Sequence, residues 1–204
     1  ALNALAGIEV SKTLPTDGTP EHSYTMANAQ GYYCNATTSP TQTSANYAKF
    51  AFYAGTETGS YYIYNITAKK WVSYTKKASY DNQTGFVQLT EEKQEAAIYK
   101  FTEINDGAYQ IQPYNTTGVA AKYLNWFQGV GYLGSPNPVD GNVTLGIYKD
   151  HGNQDTGSKW FFKEVGVTHK YTLFSDGMPS TASVTINGQT FTGLNAQGSQ
   201  SISI

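Results

Sequence analysis

The chain has 204 residues, of which 39% are hydrophobic and 14% aromatic, and its formal net charge is −2. This length suits one medium domain, or one domain with an appendage, and the apolar fraction is sufficient for a real core, which argues against disorder. All 13 basic residues are Lys, so the chain lacks the side chain that best grips phosphates, and nucleic acid is a poor candidate partner. No apolar run approaches the ~20 residues that span a bilayer, so membrane insertion is not expected. Cys34 is the only cysteine, which excludes an internal disulfide.

Residues 1–23 are predicted to form an N-terminal extension that ends in a linker. They contain neither an initiator Met nor a basic stretch ahead of an apolar one, so they do not form a signal peptide as they stand. Residues 14–23 hold two prolines and the turn-forming pair Asp17 and Gly18, a composition typical of a linker. The low charge, the abundant Tyr, Thr and Asn, and the lack of Arg favour a secreted or cell-surface protein of bacterial type.

Residues 24–166 are predicted to form a series of short β-strands. β-Branched and aromatic residues dominate these segments, and Asp-Gly and other Gly-rich connectors separate them. Only residues 90–99, TEEKQEAAIY, have a helix-forming composition, and this stretch is too short to change the class. In residues 167–204 apolar and polar residues alternate cleanly, and Asn187-Gly188 is predicted to be the turn of a β-hairpin. We therefore expect an all-β protein.

The long β region contains an internal repeat. Three segments open alike, each with a strand, a polar turn and a second strand: YTMANAQGYYCN, YYIYNITAKKWVS and AYQIQPYNTTGVAAKYLNWF. Three segments also close alike, with a Lys directly before Phe50, Phe101 or Trp160. Units of this size cannot bury their apolar faces alone, and a closed threefold assembly of hairpins accommodates their unequal lengths better than a solenoid does. We expect the three closing aromatic residues to share one core around a pseudo-threefold axis.

Residues 24–166 resemble the ricin B-type β-trefoil, which has three pseudo-repeats of four strands each. The third repeat carries the resemblance best. Tyr123-Leu124-Asn125 stands where the family has a Leu-Asp-Val-like strand end, residues 143–148 (VTLGIY) stand where it has Val-Gln-Leu-Trp, and Trp160 ends the segment where it has Gln-x-Trp. The closing Gln of the family is absent here. More generally, the chain resembles the ricin-type modules that are attached to secreted glycan-degrading enzymes and surface proteins of bacteria.

The resemblance implies a carbohydrate site in repeat three, where one aromatic ring stacks on the sugar and carboxylates or amides bind its hydroxyl groups. The implied site residues, with Tyr148 or Trp126 as the platform, are Asn125, Trp126, Tyr148, Asp150, Asn153 and Asp155. The alternation of residues 143–148 does not fix which face points outward, so Tyr148 can equally be a core residue. Trp160 and Trp71 are expected to be core residues. Repeats one and two place no aromatic residue at the stacking position and are expected to bind less well.

Residues 149–160, KDHGNQDTGSKW, offer weaker alternatives. A calcium loop needs oxygen ligands at alternate positions from Asp150, which this stretch does not provide, and His151 has no nearby partner for a zinc site. Asp140, Asp150 and Asp155 could supply a pair of glycosidase carboxylates, but Asp is common in turns for structural reasons. We expect no metal, no cofactor and no catalysis.

These observations predict a non-catalytic, lectin-like module of a larger secreted or surface-attached protein, with a glycan or monosaccharide as its partner. The alternative is a structural spacer or adhesion module that contacts protein and binds no sugar. An exposed aromatic residue in repeat three favours the lectin, whereas an inward-facing Tyr148 favours the spacer. Residues 167–204 are too few for an independent sandwich, and we expect them to belong to a following domain of an immunoglobulin-like or similar β type.

Overall fold

The computed structural model describes residues 7–80, 83–114, 122–126, 145–149, 155–166, 168–172, 183–186, 189–192 and 199–203. The chain divides into two units, Ala1–Val165 and Gly166–Ile204. The regular structure of the described ranges consists of β-strands and short 3₁₀ turns, so the expected all-β class is confirmed. The helix-forming composition of residues 90–99 yields only the turn Lys93–Glu95 before a strand begins at Ile98. None of the helical turns described is long and apolar enough to cross a membrane.

The described residues of the first unit contain twelve strands, which belong to one hydrogen-bonded network. They are β1 (Tyr24–Asn28), β2 (Tyr33–Cys34), β3 (Pro40–Thr41), β4 (Phe50–Ala54), β5 (Ser60–Asn65), β6 (Lys70–Tyr80), β7 (Gln83–Thr90), β8 (Ile98–Glu103), β9 (Tyr109–Pro113), β10 (Lys122–Asn125), β11 (Gly146–Lys149) and β12 (Trp160–Glu164).

Six of these strands close into a barrel. β1 pairs with β4, β4 with β5, β5 with β8, β8 with β9 and β9 with β12, and β12 pairs back with β1. All six pairings are antiparallel. Because the ring returns to its first strand, each of the six has a neighbour on both sides, and closure removes the exposed sheet edge that an open arrangement would leave.

The other six strands form three hairpins, β2–β3, β6–β7 and β10–β11. Each hairpin lies in the chain between two barrel strands, so the sequence runs three times through barrel strand, hairpin and barrel strand. A six-stranded barrel with three such hairpins is a β-trefoil. The predicted fold is therefore confirmed, with four strands in each repeat.

A triangle of phenylalanine rings shows the pseudo-threefold relation of the repeats. Phe52, Phe101 and Phe162 come from the last strands of repeats one, two and three, and their ring centroids lie 5.4, 5.2 and 5.7 Å apart. Each ring also contacts an aromatic residue from the first strand of its own repeat, at 5.5, 5.1 and 5.7 Å. The same set of contacts thus occurs three times around one axis.

The three closing aromatic residues, Phe50, Phe101 and Trp160, are buried in one core cluster, as predicted. Their equivalence, however, is wrong for repeat two. Phe50 and Trp160 each pair with a tyrosine in the first strand of their repeat, and in repeat two the residue in this place is Tyr99. Phe101 stands two residues later and belongs to the central triangle. The reason is that β4 and β12 begin at their closing aromatic residue, whereas β8 begins at Ile98, three residues before Phe101.

Residues 7–23, which we call the N-terminal strap, pack on the barrel. Ile8 and Ser11 are buried, and the backbone N–H of Ser11 donates to the carbonyl oxygen of Phe52 at 2.9 Å. The expectation of a linker over residues 14–23 is corrected here, since Asp17 and Gly18 close a turn by donating to the carbonyl oxygen of Leu14. The turn-forming residues therefore fold the strap back on itself within the first unit.

The second unit contains two antiparallel pairs. β13 (Thr168–Thr172) pairs with β16 (Ser199–Ser203), and β14 (Ser183–Ile186) pairs with β15 (Gln189–Thr192). Ile186 lies opposite Gln189 in the second pair, on either side of the predicted Asn187-Gly188 turn, whose own residues lie outside the described ranges. That this unit belongs to a following domain stays a prediction.

Candidate functional site

The end of β10 is tied to the 3₁₀ turn Thr156–Ser158 by side-chain hydrogen bonds. Asn125 Nδ2 donates to Ser158 Oγ at 2.8 Å and to Asp155 Oδ2 at 3.1 Å. Asp155 also accepts from the backbone N–H of Gly157 at 3.0 Å and so caps the turn. The structure thus brings together two of the predicted site residues, Asn125 and Asp155. The hydrogen bonds of these two side chains, however, serve a structural role, since they attach the buried end of β10 to the turn.

Trp126 is 0% exposed, and its ring centroid lies 5.6 Å from that of Trp160. The 3₁₀ turn passes close to the backbone of Trp126. A Cβ atom on Gly157 would lie 2.4 Å from the carbonyl oxygen of Trp126, so only glycine fits at this position. The prediction that Trp126 serves as an exposed sugar platform is wrong. Its indole belongs to the hydrophobic core, whereas the sequence analysis predicted an exposed side chain.

Tyr148 lies opposite Tyr123 in the β10–β11 hairpin and is 7% exposed. Tyr148 is therefore buried, but Ile147 rather than Tyr148 belongs to the barrel core cluster, so the two neighbours lie on opposite faces of β11. Asp150 and Asn153, the other two predicted residues, lie outside the described ranges. In its described part, the predicted site of repeat three is a structural junction.

A different feature occupies the surface of repeat two. A groove of about 350 Å³ lies between the β5–β6 hairpin, the loop that follows β7 and the N-terminal strap. The strap contributes residues 14–16, the hairpin contributes Tyr64, Lys69 and Trp71, and the loop contributes residues 91–94. This volume falls within the range of natural small-molecule sites.

The floor of the groove is aromatic. The ring of Trp71 lies 4.9 Å from that of Tyr64, 5.2 Å from that of Tyr53 and 6.3 Å from that of Tyr62. Trp71, Tyr53 and Tyr64 form a second hydrophobic cluster beside the barrel core, with Tyr62 packed against it. Trp71 is only 6% exposed, which confirms that it is a core residue, but it also lines the groove.

Charged and amide groups surround this floor. Lys70 Nζ lies 2.8 Å from Glu91 Oε1, an ion pair at the end of the β6–β7 hairpin. Lys93 Nζ lies 4.8 Å from the ring centroid of Tyr62 and 5.7 Å from that of Trp71, so its ammonium group faces the aromatic rings. Glu92 and Gln94 are exposed on either side of Lys93. The rim therefore combines carboxylates, ammonium groups and an amide.

The wall formed by the strap is held in place by two contacts. The Glu21 carboxylate accepts from the backbone N–H of Lys12 at 2.9 Å and from the hydroxyl of Thr13 at 2.6 Å. Partial desolvation tends to raise the pKa of Glu21, but these hydrogen bonds together outweigh it and lower the pKa to about 2. On the other side, the hydroxyl of Tyr53 donates to the carbonyl oxygen of Thr13 at 3.0 Å. Residues 14–16 are thereby fixed beside the aromatic floor.

An aromatic floor with a polar rim suits a ligand that has one apolar face and several hydroxyl groups. Within the described ranges, no group of three or more His, Cys, Asp or Glu side chains is placed to hold a metal ion. Sequence reasoning missed the groove because its walls come from three separate segments. The available signal was the alternation of Tyr62 and Tyr64 along β5, which puts two tyrosines on the same face of the strand that pairs with Trp71.

Comparisons with known proteins identify structures of similar fold. A designed 3-fold symmetric protein, ThreeFoil, is 13% identical, with a TM-score of 0.47 and coverage of 70% of this chain and 99% of that one. The Rhizoctonia solani agglutinin is 14% identical, with a TM-score of 0.49 and coverage of 72% and 98%. A Polyporus squamosus lectin, solved bound to the epitope Neu5Acα2-6Galβ1-4GlcNAc, is 15% identical, with a TM-score of 0.47 and coverage of 75% and 52%. No family model and no curated protein sequence matches the chain.

Proposed function

We propose that this chain is a non-catalytic carbohydrate-binding domain and that the groove of repeat two is its binding site. The observation that supports the proposal is the groove itself: Trp71 and Tyr64, although 6% and 8% exposed, line its floor, and Glu92 and Gln94 stand at its rim. Sugar rings have an apolar C–H face and a polar edge. An aromatic floor surrounded by directed polar groups matches both.

The groove is open, so a bound sugar would keep much of its contact with water. Each hydrogen bond exchanged with water contributes about 1 kcal/mol net, or ~1.5–3 kcal/mol when a charged group takes part. We therefore expect a weak single-site affinity, with Kd on the order of 0.1–1 mM. Retention on a polysaccharide then depends on avidity supplied by other parts of a larger protein.

The wider context belongs to the same proposal. We place the domain in a secreted or cell-surface protein of bacterial type, in which Gly166–Ile204 belongs to a following β domain. In such a protein, the trefoil would keep neighbouring domains close to glycans.

The alternative is a spacer or adhesion module that contacts protein and binds no sugar. Repeat three favours this alternative, because Trp126 and Tyr148, its two predicted platform residues, are both buried. Repeat two favours the lectin. Binding of a glycan in the groove would support the lectin, and the lack of any glycan binding would support the spacer or adhesion module.

The proposal is tested by a glycan array, followed by titration of the selected glycan against purified protein. Replacing Glu92 and Gln94 together with Ala should weaken binding at least tenfold, which corresponds to ~1.4 kcal/mol, because both side chains lie at the rim. The control is Glu57→Ala with Gln42→Ala, which removes the same two residue types at exposed positions outside the groove. The bound glycan should be recovered intact by mass spectrometry. An array on which no glycan binds the wild-type protein, or cleavage of the glycan, contradicts the proposal.

A further inference from the structure

The Lys93 ammonium lies over two aromatic rings, that of Trp71, which lines the groove, and that of Tyr62, which packs against the same cluster. It lies 4.8 Å from the Tyr62 centroid and 5.7 Å from the Trp71 centroid, within the range of a cation–π interaction. Tyr62 and Trp71 are nearly perpendicular, with an interplanar angle of 81°, and Trp71 and Tyr64 meet at 60°. Rings set at such angles form a corner rather than a flat platform. A corner of aromatic rings is the arrangement that receives a positively charged group from several sides.

From this geometry, and on the basis of the proposed function, we propose that the groove selects glycans that carry a cationic amino substituent. A ligand that takes the place of Lys93 over the Trp71 ring must displace its ammonium group. A neutral sugar replaces the ammonium with C–H groups and forfeits the cation–π attraction. A protonated amine on the ligand restores it.

One charged group at the rim, the Glu92 carboxylate, favours the same class of ligand. Glu91 is paired with Lys70, whereas Glu92 stands next to Lys93 at the exposed rim. When Lys93 swings away from the rings, a ligand ammonium restores positive charge near the Glu92 carboxylate. An anionic substituent would instead meet the negative faces of the rings and the Glu92 carboxylate, with Lys69 as the other charged group of the lining besides Lys93 and the paired Glu91.

The test compares two ligands that differ only in the amino group. Oligomers of glucosamine and of N-acetylglucosamine, equal in length, are titrated by calorimetry at a pH where the free amines are protonated. We expect the glucosamine oligomer to bind about two- to fivefold more tightly, the range of an exposed cation–π contact. Glu92→Gln should reduce this preference, measured as the ratio of the two affinities, because it removes the carboxylate that faces the ligand ammonium.

Lys93 supplies an independent arm of the test. Lys93→Ala removes the internal competitor and should strengthen binding of the glucosamine oligomer about two- to fivefold, the range of an exposed cation–π contact. Lys93→Met is a second variant, which removes the charge but keeps an apolar side chain over the rings. It should strengthen binding of the glucosamine oligomer in the same way, even if the short side chain of Lys93→Ala disturbs the loop. Lys100→Ala, at an exposed position on β8, is the matched control and should have no effect. Melting temperatures of all variants verify folding.

The outcomes separate this inference from the proposed function. Equal affinity for the two oligomers, or tighter binding of the N-acetylated one, overturns the inference but leaves carbohydrate binding in place. Weaker binding of the glucosamine oligomer to both Lys93 variants also overturns it, because Lys93 would then be a ligand contact. Failure of every glycan on the array to bind overturns both proposals.

Discussion

At the scale of single residues, the closing aromatic residues join the barrel to the hairpins. Trp160 Nε1 donates to the carbonyl oxygen of Leu124 at 2.9 Å, and the hydroxyl of Tyr99 donates to the carbonyl oxygen of Ser73 at 3.0 Å. Both acceptors lie in the second strand of their repeat, so the contacts are equivalent. Burial raises the pKa of Tyr99, which keeps its hydroxyl protonated as a donor. Phe50 fills the same place in repeat one without a polar atom, so this contact is made in only two of the repeats.

Replacing Trp160 with Phe should lower the free energy of unfolding by about 1–3 kcal/mol or more. The change leaves the carbonyl oxygen of Leu124, a buried residue, without the indole donor, and it opens space in the core. Phe161→Leu is the control, since Phe161 is the next residue and is 38% exposed; it should cost no more than about 0.5 kcal/mol. Urea denaturation measures both. Equal losses for the two variants would show that the indole hydrogen bond and its packing contribute little.

At the scale of elements, the N-terminal strap is held by charge as well as by packing. His22 lies between two carboxylates, with Nε2 at 3.1 Å from Glu9 and Nδ1 at 2.8 Å from Glu164. Glu164 ends β12, so this contact joins the strap to the last strand of the barrel. Glu21 closes the strap's own loop through Lys12 and Thr13. The element that forms one wall of the groove therefore depends on ionised carboxylates.

Acid should loosen the strap through Glu21. Its pKa is lowered in the folded protein, from 4.5 to about 2, so the folded state favours the ionised form. The resulting stabilisation is fully present above about pH 4.5 and is lost as the pH falls toward 2. Glu21→Gln should be less stable than wild type at neutral pH, and the difference in melting temperature should shrink over this range. The size of this effect is modest, because the carboxylate is exposed to solvent.

Thermal melts at a series of pH values measure this difference. Glu57→Gln, at an exposed position outside the strap, serves as the control and should follow wild type at every pH. A Glu21→Gln deficit that does not change between pH 7 and pH 2 would show that shape, rather than ionisation, accounts for the contribution of this residue.

At the scale of the whole molecule, the three repeats meet in one place. The triangle of Phe52, Phe101 and Phe162 connects the closing strands of all three repeats. Such pairs contribute about 0.5–1.5 kcal/mol each beyond the burial of their area. The first unit should therefore unfold as one body, because no repeat can leave the barrel without breaking two ring contacts of the triangle.

A double-mutant cycle tests this coupling. Phe52→Leu and Phe101→Leu should be non-additive by about 0.5–1.5 kcal/mol, since the two rings are 5.4 Å apart and come from different repeats. Trp71→Phe combined with Phe101→Leu is the control, because the two residues belong to different hydrophobic clusters and should add within about 0.5 kcal/mol. Equilibrium denaturation gives all the values. Additivity of the Phe52 and Phe101 changes would mean that the triangle does not couple the repeats.

Local patterns in the sequence were enough to predict much of this fold. The β-branched and aromatic runs and the Gly-rich connectors predicted the strands, because both are local patterns. The threefold repetition of openings and closings predicted a closed threefold assembly of hairpins, and the resemblance to the ricin B-type family implied that this assembly is a β-trefoil. The burial of Trp160 and Trp71 was also predicted. Sequence spacing placed Phe101 two residues out of register, since a repeated Lys-aromatic pair does not reveal where strand pairing begins.

The site depended on the tertiary structure. Alternation along a strand separates two faces but does not tell which one meets the core, so the sequence left the direction of Tyr148 open, and it did not show that Trp126 is buried. The N-terminal strap had the composition of a linker, and only its contacts with Phe52 and Tyr53 make it a wall of the groove. The residues that line the groove come from positions 14 to 94 of the sequence. Contacts between such distant residues exist only after the barrel closes, and no local pattern encodes them.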